Sequence, residues 1–285
     1  MDHEIGRAET MTSGKPEVRT MVALNLSADS FWEPSRVRSS DLSARCAGLI
    51  EQGADIIDIG AVSTRPGAAP VSLEEEWALL EPALHALSEL HGALLSIDTT
   101  RPEIVRRAYG IYGPFIVNDV AAGDDPEMLR TVAKLGLTYV AMHHRGTPRT
   151  MDALTDYGPA GVVESVKTFF REFSRSAEEF GIKDWILDPG FGFAKTDAQN
   201  IDLLRRLGEF KVFGRPILAG VADKRFTRSA LLQELIENAA NLEPFAEPDR
   251  AGTLFCERLA AENGASILRR HLIVAPQRRT VSEKA

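Results

Sequence analysis

Cysteine is scarce in this chain. Its 285 residues include two, Cys46 and Cys256. Each falls inside a helical pattern, which reads as buried free thiols in a reducing compartment such as the cytoplasm rather than as a disulfide or a zinc ribbon. Long apolar runs are missing too. None approaches the roughly 20 residues a membrane helix needs, so neither a helical porter nor a membrane partner is expected. There is no basic block, and Lys+Arg 33 against Asp+Glu 41 leaves a net charge of −8. An acidic chain of this kind is a poor nucleic-acid binder. The opening MDHEIGRAET is polar and acidic and does not read as a signal peptide. The chain also lacks a G-x-G-x-x-G turn after its first apolar run and any GKS or GKT phosphate loop, which argues against a doubly wound nucleotide-binding sheet.

What is present is ordinary globular composition, 44% hydrophobic and 26% charged, and a regular alternation. Short apolar runs occur at Met21–Leu26, Ile56–Gly60, Leu94–Asp98, Phe115–Asp119, Tyr139–His143, Trp185–Asp188, Ile217–Val221 and Ser266–Arg269. Each has the length and the Ile, Val and Leu content of a buried parallel strand. Amphipathic segments separate them: Asp41–Gln52, Leu73–Leu90, Pro102–Tyr109, Pro126–Leu135, Ala160–Phe180, Ala198–Leu207 and Arg250–Asn263, with an extra one near Ser229–Ala240. Ser72, three residues before Glu75, has the spacing of a capping box. Eight strands alternating with helices predict a single-domain α/β fold, a (β/α)8 TIM barrel, over residues 20–275. Residues 1–19 read as a flexible arm and 276–285 as a polar tail. The covering helix after the last strand looks short or missing, which leaves part of the wall to the arm or to another subunit.

Catalytic groups of such barrels stand at the C-terminal ends of the strands. Here those ends carry Asn25, Asp58, Asp98, Asn118 with Asp119, Met142 with His143, Asp188, Lys224, and Arg269 with His271. Amides and carboxylates come from the first six strands, and cations from the last two. The division suggests a ligand with two poles. Asp98, Asn118 and Asp188 suit a planar heterocycle presenting N–H groups, such as a 2-aminopyrimidinone. Lys224, Arg269, His271 and Arg65 suit a phosphate or diphosphate. Helix capping is the competing reading of any single strand-end Asp, and Asp98 before Thr99-Thr100-Arg101-Pro102 is one such case.

These residues carry a resemblance. ALNLSADSF (23–31), GADIIDIGAVSTRPGAAPVS (53–72), SIDTTRPE (96–103), IVNDVAAGDDPEM (116–128), AMHHRGTPRTM (141–151), ILDPGFGFAKT (186–196), LAGVADKRF (218–226) and ILRRH (267–271) resemble, in order and spacing, the motifs of the dihydropteroate synthase family. The likeness runs from Met21 to His271 and is most specific in STRPGA and LDPGFGF. It implies a transferase of folate biosynthesis. Such an enzyme joins 6-hydroxymethyl-7,8-dihydropterin diphosphate to p-aminobenzoate and releases diphosphate after the C–O bond breaks. By position, Asp98, Asn118, Met142, Asp188, Phe193, Gly220 and Lys224 would form the pterin site. Asn25, Arg65, Arg269 and His271 would bind diphosphate, with Mg²⁺ as the cofactor held at Asn25. Phe31, Thr64, Pro66 and Ala222 would complete the amine side, and Lys224, Asp98 and Arg65 would carry catalysis. The family also implies a homodimer.

Departures from the family pattern gather on the amine side. The first loop, which resembles NVTPDSFSDGG in the family, has Ser27, Ala28 and Trp32 and lacks the Gly pair. After the seventh strand the family's GVSRKSF becomes Gly220-Val221-Ala222-Asp223-Lys224-Arg225-Phe226. Lys224 is kept, the Ser that helps hold the aminobenzoate carboxylate in the family becomes Ala222, and an Arg becomes Asp223. Leu272 stands where the family often has Asp. A variant using another amine and a non-catalytic pterin-binding paralogue therefore stand beside the synthase reading. A methyltetrahydrofolate-dependent methyltransferase ranks below them, because it has no need of Arg269 and His271. Elsewhere, His143 and His144 read as structural rather than as a metal pair, and His85 and His91 as solvated. Phe169, Phe170 and Phe173 read as a buried helix face, and Lys167, Arg171 and Arg175 as a solvated stripe. Whether Arg145 and Arg149 reach the active face is left open.

Overall fold

The parallel pairing that the apolar runs demand is realised in the computed structural model, which describes residues 18–26, 39–61, 71–147, 150–237 and 247–271. Its strands are β1 (Arg19–Asn25), β2 (Ile56–Gly60), β3 (Leu94–Asp98), β4 (Ile116–Asp119), β5 (Thr138–Met142), β6 (Trp185–Asp188), β7 (Leu218–Ala219) and β8 (Ile267–Arg270). The helices are α1 (Ser39–Glu51), α2 (Leu73–Leu87), α3 (Pro102–Tyr112), α4 (Pro126–Leu135), α5 (Gly161–Phe180), α6 (Asp197–Arg205), α7 (Phe226–Glu237) and α8 (Pro248–Glu262). All named pairings are parallel, in the order β6-β5-β4-β3-β2-β1-β8-β7. A single bridge, Leu187 to Ile217, joins the two ends of that order. The result is the expected single-domain (β/α)8 barrel.

Strand parity sorts the side chains. Met21, Ile56, Ile116, Val140, Ile186, Leu218 and Ile267 are buried together as one apolar layer. That layer plugs the barrel interior, as barrel packing requires. Residues of the other parity, such as Val22, Ile57, Val117, Tyr139, Leu187 and Leu268, belong to the larger core between sheet and helices. Two residues beyond the plug, on the same parity, stand Asp58, Asn118, Met142, Asp188, Gly220 and Arg269. The alternation that fills the lower barrel thus aims these six side chains and backbones into its mouth.

The helices start where their caps are. Ser72 and Glu75 form the reciprocal capping box at α2, Pro102 occupies the first turn of α3, and Asp125 caps α4 through the Glu127 N–H. The long α5 lays Phe170 and Phe173 against the sheet, both buried. Their rings contact Trp185 of β6 and, for Phe173, stack on Tyr139 of β5. α7 and α8 both lie between β7 and β8 and pack on each other. Gly252 makes that closeness possible, since a Cβ there would stand 2.7 Å from the Thr227 carbonyl oxygen.

Several boundaries differ from the sequence reading. β1 begins at Arg19, inside the expected arm, because its amide bonds the Ser266 carbonyl (2.9 Å). β7 is shorter than Ile217–Val221, since the chain turns out of the ladder at Gly220. α2 stops at Leu87, and α7 begins at Phe226 rather than Ser229. Cys46 and Cys256 are free and buried, and burial pushes their thiols up to about 11 and about 12. Lys167 does not belong to a solvated stripe. It bridges Glu164 (2.8 Å) and Glu209 (3.1 Å) with 16% of its side chain exposed, whereas Arg171 and Arg175 are exposed. His85 and His91 are exposed as expected. The expected tail, most of the expected arm and any covering helix after β8 lie outside the described residues.

Candidate active site at the barrel mouth

Asp58 is the best-bonded residue of the mouth. Its Oδ1 accepts the Ser96 hydroxyl at 2.6 Å, and its Oδ2 accepts Asn118 Nδ2 at 3.1 Å. Arg269 Nε donates to the same Oδ2 at 2.8 Å, and Arg269 Nη2 lies 2.7 Å from it. Nη2 also reaches Asp98 Oδ2 at 2.9 Å. The guanidinium is therefore clamped between two carboxylates from adjacent strands. It keeps its charge despite burial because Asp58 and Asp98 raise its affinity for the proton. Burial has the opposite effect on Asp98. Only partly offset by Arg269, and reinforced by the nearby Asp58 and Asp119 charges, it pushes that carboxyl up to about 7.

On the opposite wall, Asp188 ends β6. Its Oδ1 accepts the Gly190 N–H at 2.8 Å. Burial raises its pKa, while that hydrogen bond and the charges of Arg269 and Lys224 pull it down. Lys224 leaves the turn after β7 and sets its ammonium 4.9 Å from the Phe193 ring centroid. Burial lowers the Lys224 pKa and Asp188 partly restores it. Gly190 is required where it is. Its φ is +69°, and a Cβ would stand 2.0 Å from the His143 carbonyl oxygen.

The structure thus brings together Asp98, Asn118, Met142, Asp188, Phe193, Gly220, Lys224 and Arg269. Asn25 is exposed at the end of β1, and His271 is exposed one residue past β8. Ala222 is buried in the turn that leads to Lys224. Phe31, Thr64, Arg65 and Pro66 lie outside the described residues, as do Trp32, Arg149 and Leu272. The acidic and cationic poles are not as separate as the strand ends suggested, because Arg269 sits among the acids. Its parity with Ile267 turns it inward across β1 toward β2 and β3, whereas Arg270 turns outward to Glu257 of α8 (3.1 Å). Asp119 has the outward parity as well and takes the Tyr139 hydroxyl (2.6 Å). Arg145 bonds the carbonyls of Leu154 and Asp156 and stacks on Tyr157.

Two buried charged residues of the mouth and its supporting loop have no assigned role in the sequence reading. Asp58 was noted as a strand residue but given no role, although its period-two spacing from Ile56 already placed it on the inner face. Lys195 lies in the loop between β6 and α6, where sequence gives no sign of burial, yet it is 8% exposed. Asp223 is exposed and adopts φ 58°, with its N–H donated to Thr253 Oγ1 at 3.2 Å.

An acid-lined cup at the strand ends, closed by a buried apolar layer and holding cations within reach of its carboxylates, is the site geometry of a (β/α)8-barrel enzyme. Residues 21–271 match the family model described as "Pterin binding enzyme". Dihydropteroate synthase of Escherichia coli (strain K12) is 36% identical over 254 residues, spanning 88% of this chain and 85% of that protein. That of Synechocystis sp. is 38% identical, spanning 90% and 85%. Among solved structures, Xanthomonas albilineans dihydropteroate synthase with 4-aminobenzoic acid matches with a TM-score of 0.76 at 35% identity, over 90% of this chain and 89% of that one. The same enzyme in complex with 7,8-dihydropteroate matches at 0.73 and 32%, over 92% and 90%. The chain belongs to the pterin-binding enzymes and, within them, to the dihydropteroate synthase family of transferases.

Proposed function

We propose that this chain joins 6-hydroxymethyl-7,8-dihydropterin diphosphate to p-aminobenzoate and releases diphosphate. The observation that carries the reading is the inward polar ring above the apolar plug, with Asp98 and Asn118 paired on adjacent strands and Asp188 within the field of the same Arg269. Two carboxylates and an amide match the N–H-rich edge of a pterin, and Met142 and Phe193 supply apolar walls to its faces. Lys224 lies over Phe193 and contacts the ring's polar rim.

Arg269 and His271, with Arg65, would receive the diphosphate. Arg269 must then give up part of its hold on Asp98, and the ring's N–H groups take over the vacated oxygen. Breaking the C–O bond leaves an electron-poor methylene on the pterin and negative charge on the diphosphate. The carboxylates stabilise the first and the cations the second, so no covalent enzyme nucleophile is needed. The amine then attacks the methylene and loses its proton to solvent or to the departing anion.

Mg²⁺ fits Asn25, an exposed side-chain amide at the mouth. This ion prefers oxygen donors and keeps several waters, so one protein oxygen beside diphosphate oxygens is a sufficient set. When bound, the ion would neutralise charge on the leaving group. A homodimer accords with α7 and α8, which leave Leu232, Ile236 and Leu254 exposed at 46%, 69% and 40%. A cytoplasmic location accords with two buried free thiols and with the absence, among the described residues, of a helix long and apolar enough to cross a membrane. A different amine is the second reading. It is favoured by the exposed carboxylate of Asp223, which stands beside Lys224 where the family pattern has an arginine.

The test is mass spectrometry of products after incubation with the pterin diphosphate, Mg²⁺ and a panel of arylamines. Dihydropteroate as the main product supports the synthase reading. A product with another amine supports the second. Ring binding without any product defines a non-catalytic paralogue.

A further inference from the structure

Lys195 is a buried ammonium at the centre of the loop between β6 and α6. It donates to the carbonyls of Gly190 (2.8 Å) and Phe193 (3.0 Å) and lies 3.0 Å from Nδ1 of His143. Three donors meet three acceptors, so a charged lysine is fully satisfied there. Burial, and then the Lys195 charge, hold His143 neutral, well below its usual pKa. Its Nδ1 therefore accepts, with the proton on Nε2. The loop is fixed from outside as well. Tyr157 donates to the Ala194 carbonyl (3.1 Å), and Asn200 accepts the Gly192 N–H (2.8 Å). Ala194 itself is held at φ 51°, so the chain curls around the ammonium.

This curl determines where the ring site stands. Phe193 offers its carbonyl to Lys195 on one side and its ring to Lys224 on the other. Gly192 packs so closely on the Lys224 stem that an added Cβ would stand 3.2 Å from its Cδ. Asp188, which opens the loop, bonds the Gly190 N–H, and the Gly190 carbonyl bonds Lys195. One buried cation therefore ties together a carboxylate, an aromatic wall and a lysine of the cup, with its own three bonds spent on His143 and the loop carbonyls.

We propose that Lys195 is a positioning residue of the pterin site, acting through Phe193 and Lys224 as the fixed central ion of the loop. The proposal rests on the ring-binding reading given above. Its charge responds to pH because burial, partly offset by Asp188 and reinforced by Arg145 and Lys224, brings its pKa down to about 7. Once neutral, Lys195 keeps two donors for the carbonyls and turns a lone pair to His143. The imidazole must then move its proton to Nδ1. The two charge states thus have opposite histidine tautomers, and ¹⁵N spectra of the imidazole distinguish them.

The experiment is calorimetry of the full chain with 6-hydroxymethyl-7,8-dihydropterin as probe. Wild-type protein that does not bind the probe overturns the ring-site reading itself. Given wild-type binding, Lys195→Met should weaken it about tenfold or more with unchanged stoichiometry. Misfolding would instead lower the stoichiometry and leave the Kd of the folded fraction alone. If Lys195→Met does not fold, the His143 pair provides the test. His143→Leu removes the third acceptor and should weaken binding, whereas His143→Asn keeps an oxygen near the place of Nδ1 and should restore it to within about threefold. The KM for the amine at saturating pterin diphosphate should not move in any folded variant. Unchanged ring affinity in Lys195→Met, or equal losses in His143→Leu and His143→Asn, overturns the proposal.

Discussion

Asp58→Asn isolates the clamp on Arg269. The substitution preserves shape, and its Oδ1 still accepts the Ser96 hydroxyl. The other oxygen becomes an NH₂ group facing three donors: Arg269 Nε, Arg269 Nη2 and Asn118 Nδ2. Removing one partner of a buried ion pair costs roughly 3–5 kcal/mol. Here Asp98 retains its 2.9 Å contact and Arg269 is 27% exposed, against 0% for Asp58. These two facts reduce the expected loss to about 2–3 kcal/mol. For a domain of this size that corresponds to a fall of about 3–5 °C in Tm. With its first carboxylate gone, Arg269 should rest more firmly on Asp98 and compete with the ring, lowering pterin affinity about tenfold. Urea unfolding followed by tryptophan emission gives the stability, and calorimetry gives the affinity. The double variant Asp58→Asn/Arg269→Met should recover part of the stability, because the cost lies in an orphaned charge. A loss below about 1 kcal/mol with unchanged ring binding would refute the clamp.

Further outcomes follow from other parts of the site and core. With Asp98 raised to about 7, the folded state holds a proton that the unfolded chain gives up near pH 4. The resulting stabilisation is complete below the unfolded pKa and is lost as pH rises through about 7. Ring binding to the ionised carboxylate should therefore strengthen over the same rise and release a proton, which calorimetry in buffers of different ionisation enthalpy detects. Gly190→Ala should abolish soluble expression or lower Tm by more than about 10 °C, because a methyl group at φ +69° meets the His143 carbonyl. Phe170→Ala removes a fully buried ring packed on Trp185, Phe210 and Phe213. It should cost about 3–5 kcal/mol in urea unfolding while leaving ring affinity unchanged.

The barrel was legible in the sequence because buried parallel strands are short apolar runs and their helices carry caps. Ser72 with Glu75 and Pro102 both proved to start helices where expected. The site was legible to the depth that strand ends reveal. Asp98, Asn118 and Asp188 do converge, and His143 has structural partners in Lys195 and Phe169. Sequence order does not reveal reach across the barrel. Arg269 is 211 residues from Asp58, and only the adjacency of β8 to β1 brings it near β2. A lysine in a glycine-rich loop carries no local sign of burial, so Lys195 became visible only when its acceptors did. Lys167 shows the same limit on a helix, since its partner Glu209 comes from a distant segment.

The wall of the barrel is not stitched evenly. β6 and β7 meet through one bridge, to which the Leu187 amide on the Pro216 carbonyl belongs, while β1 and β2 share five residue pairs. That thin seam runs between the strand bearing Asp188 and the strand leading to Lys224. Amide exchange should therefore be fastest there among the central strands. Few backbone bonds therefore join the two sides of the cup on either flank of β7, and adjustment to a guest should concentrate there, as a change in amide exchange at this strand on ring binding would report.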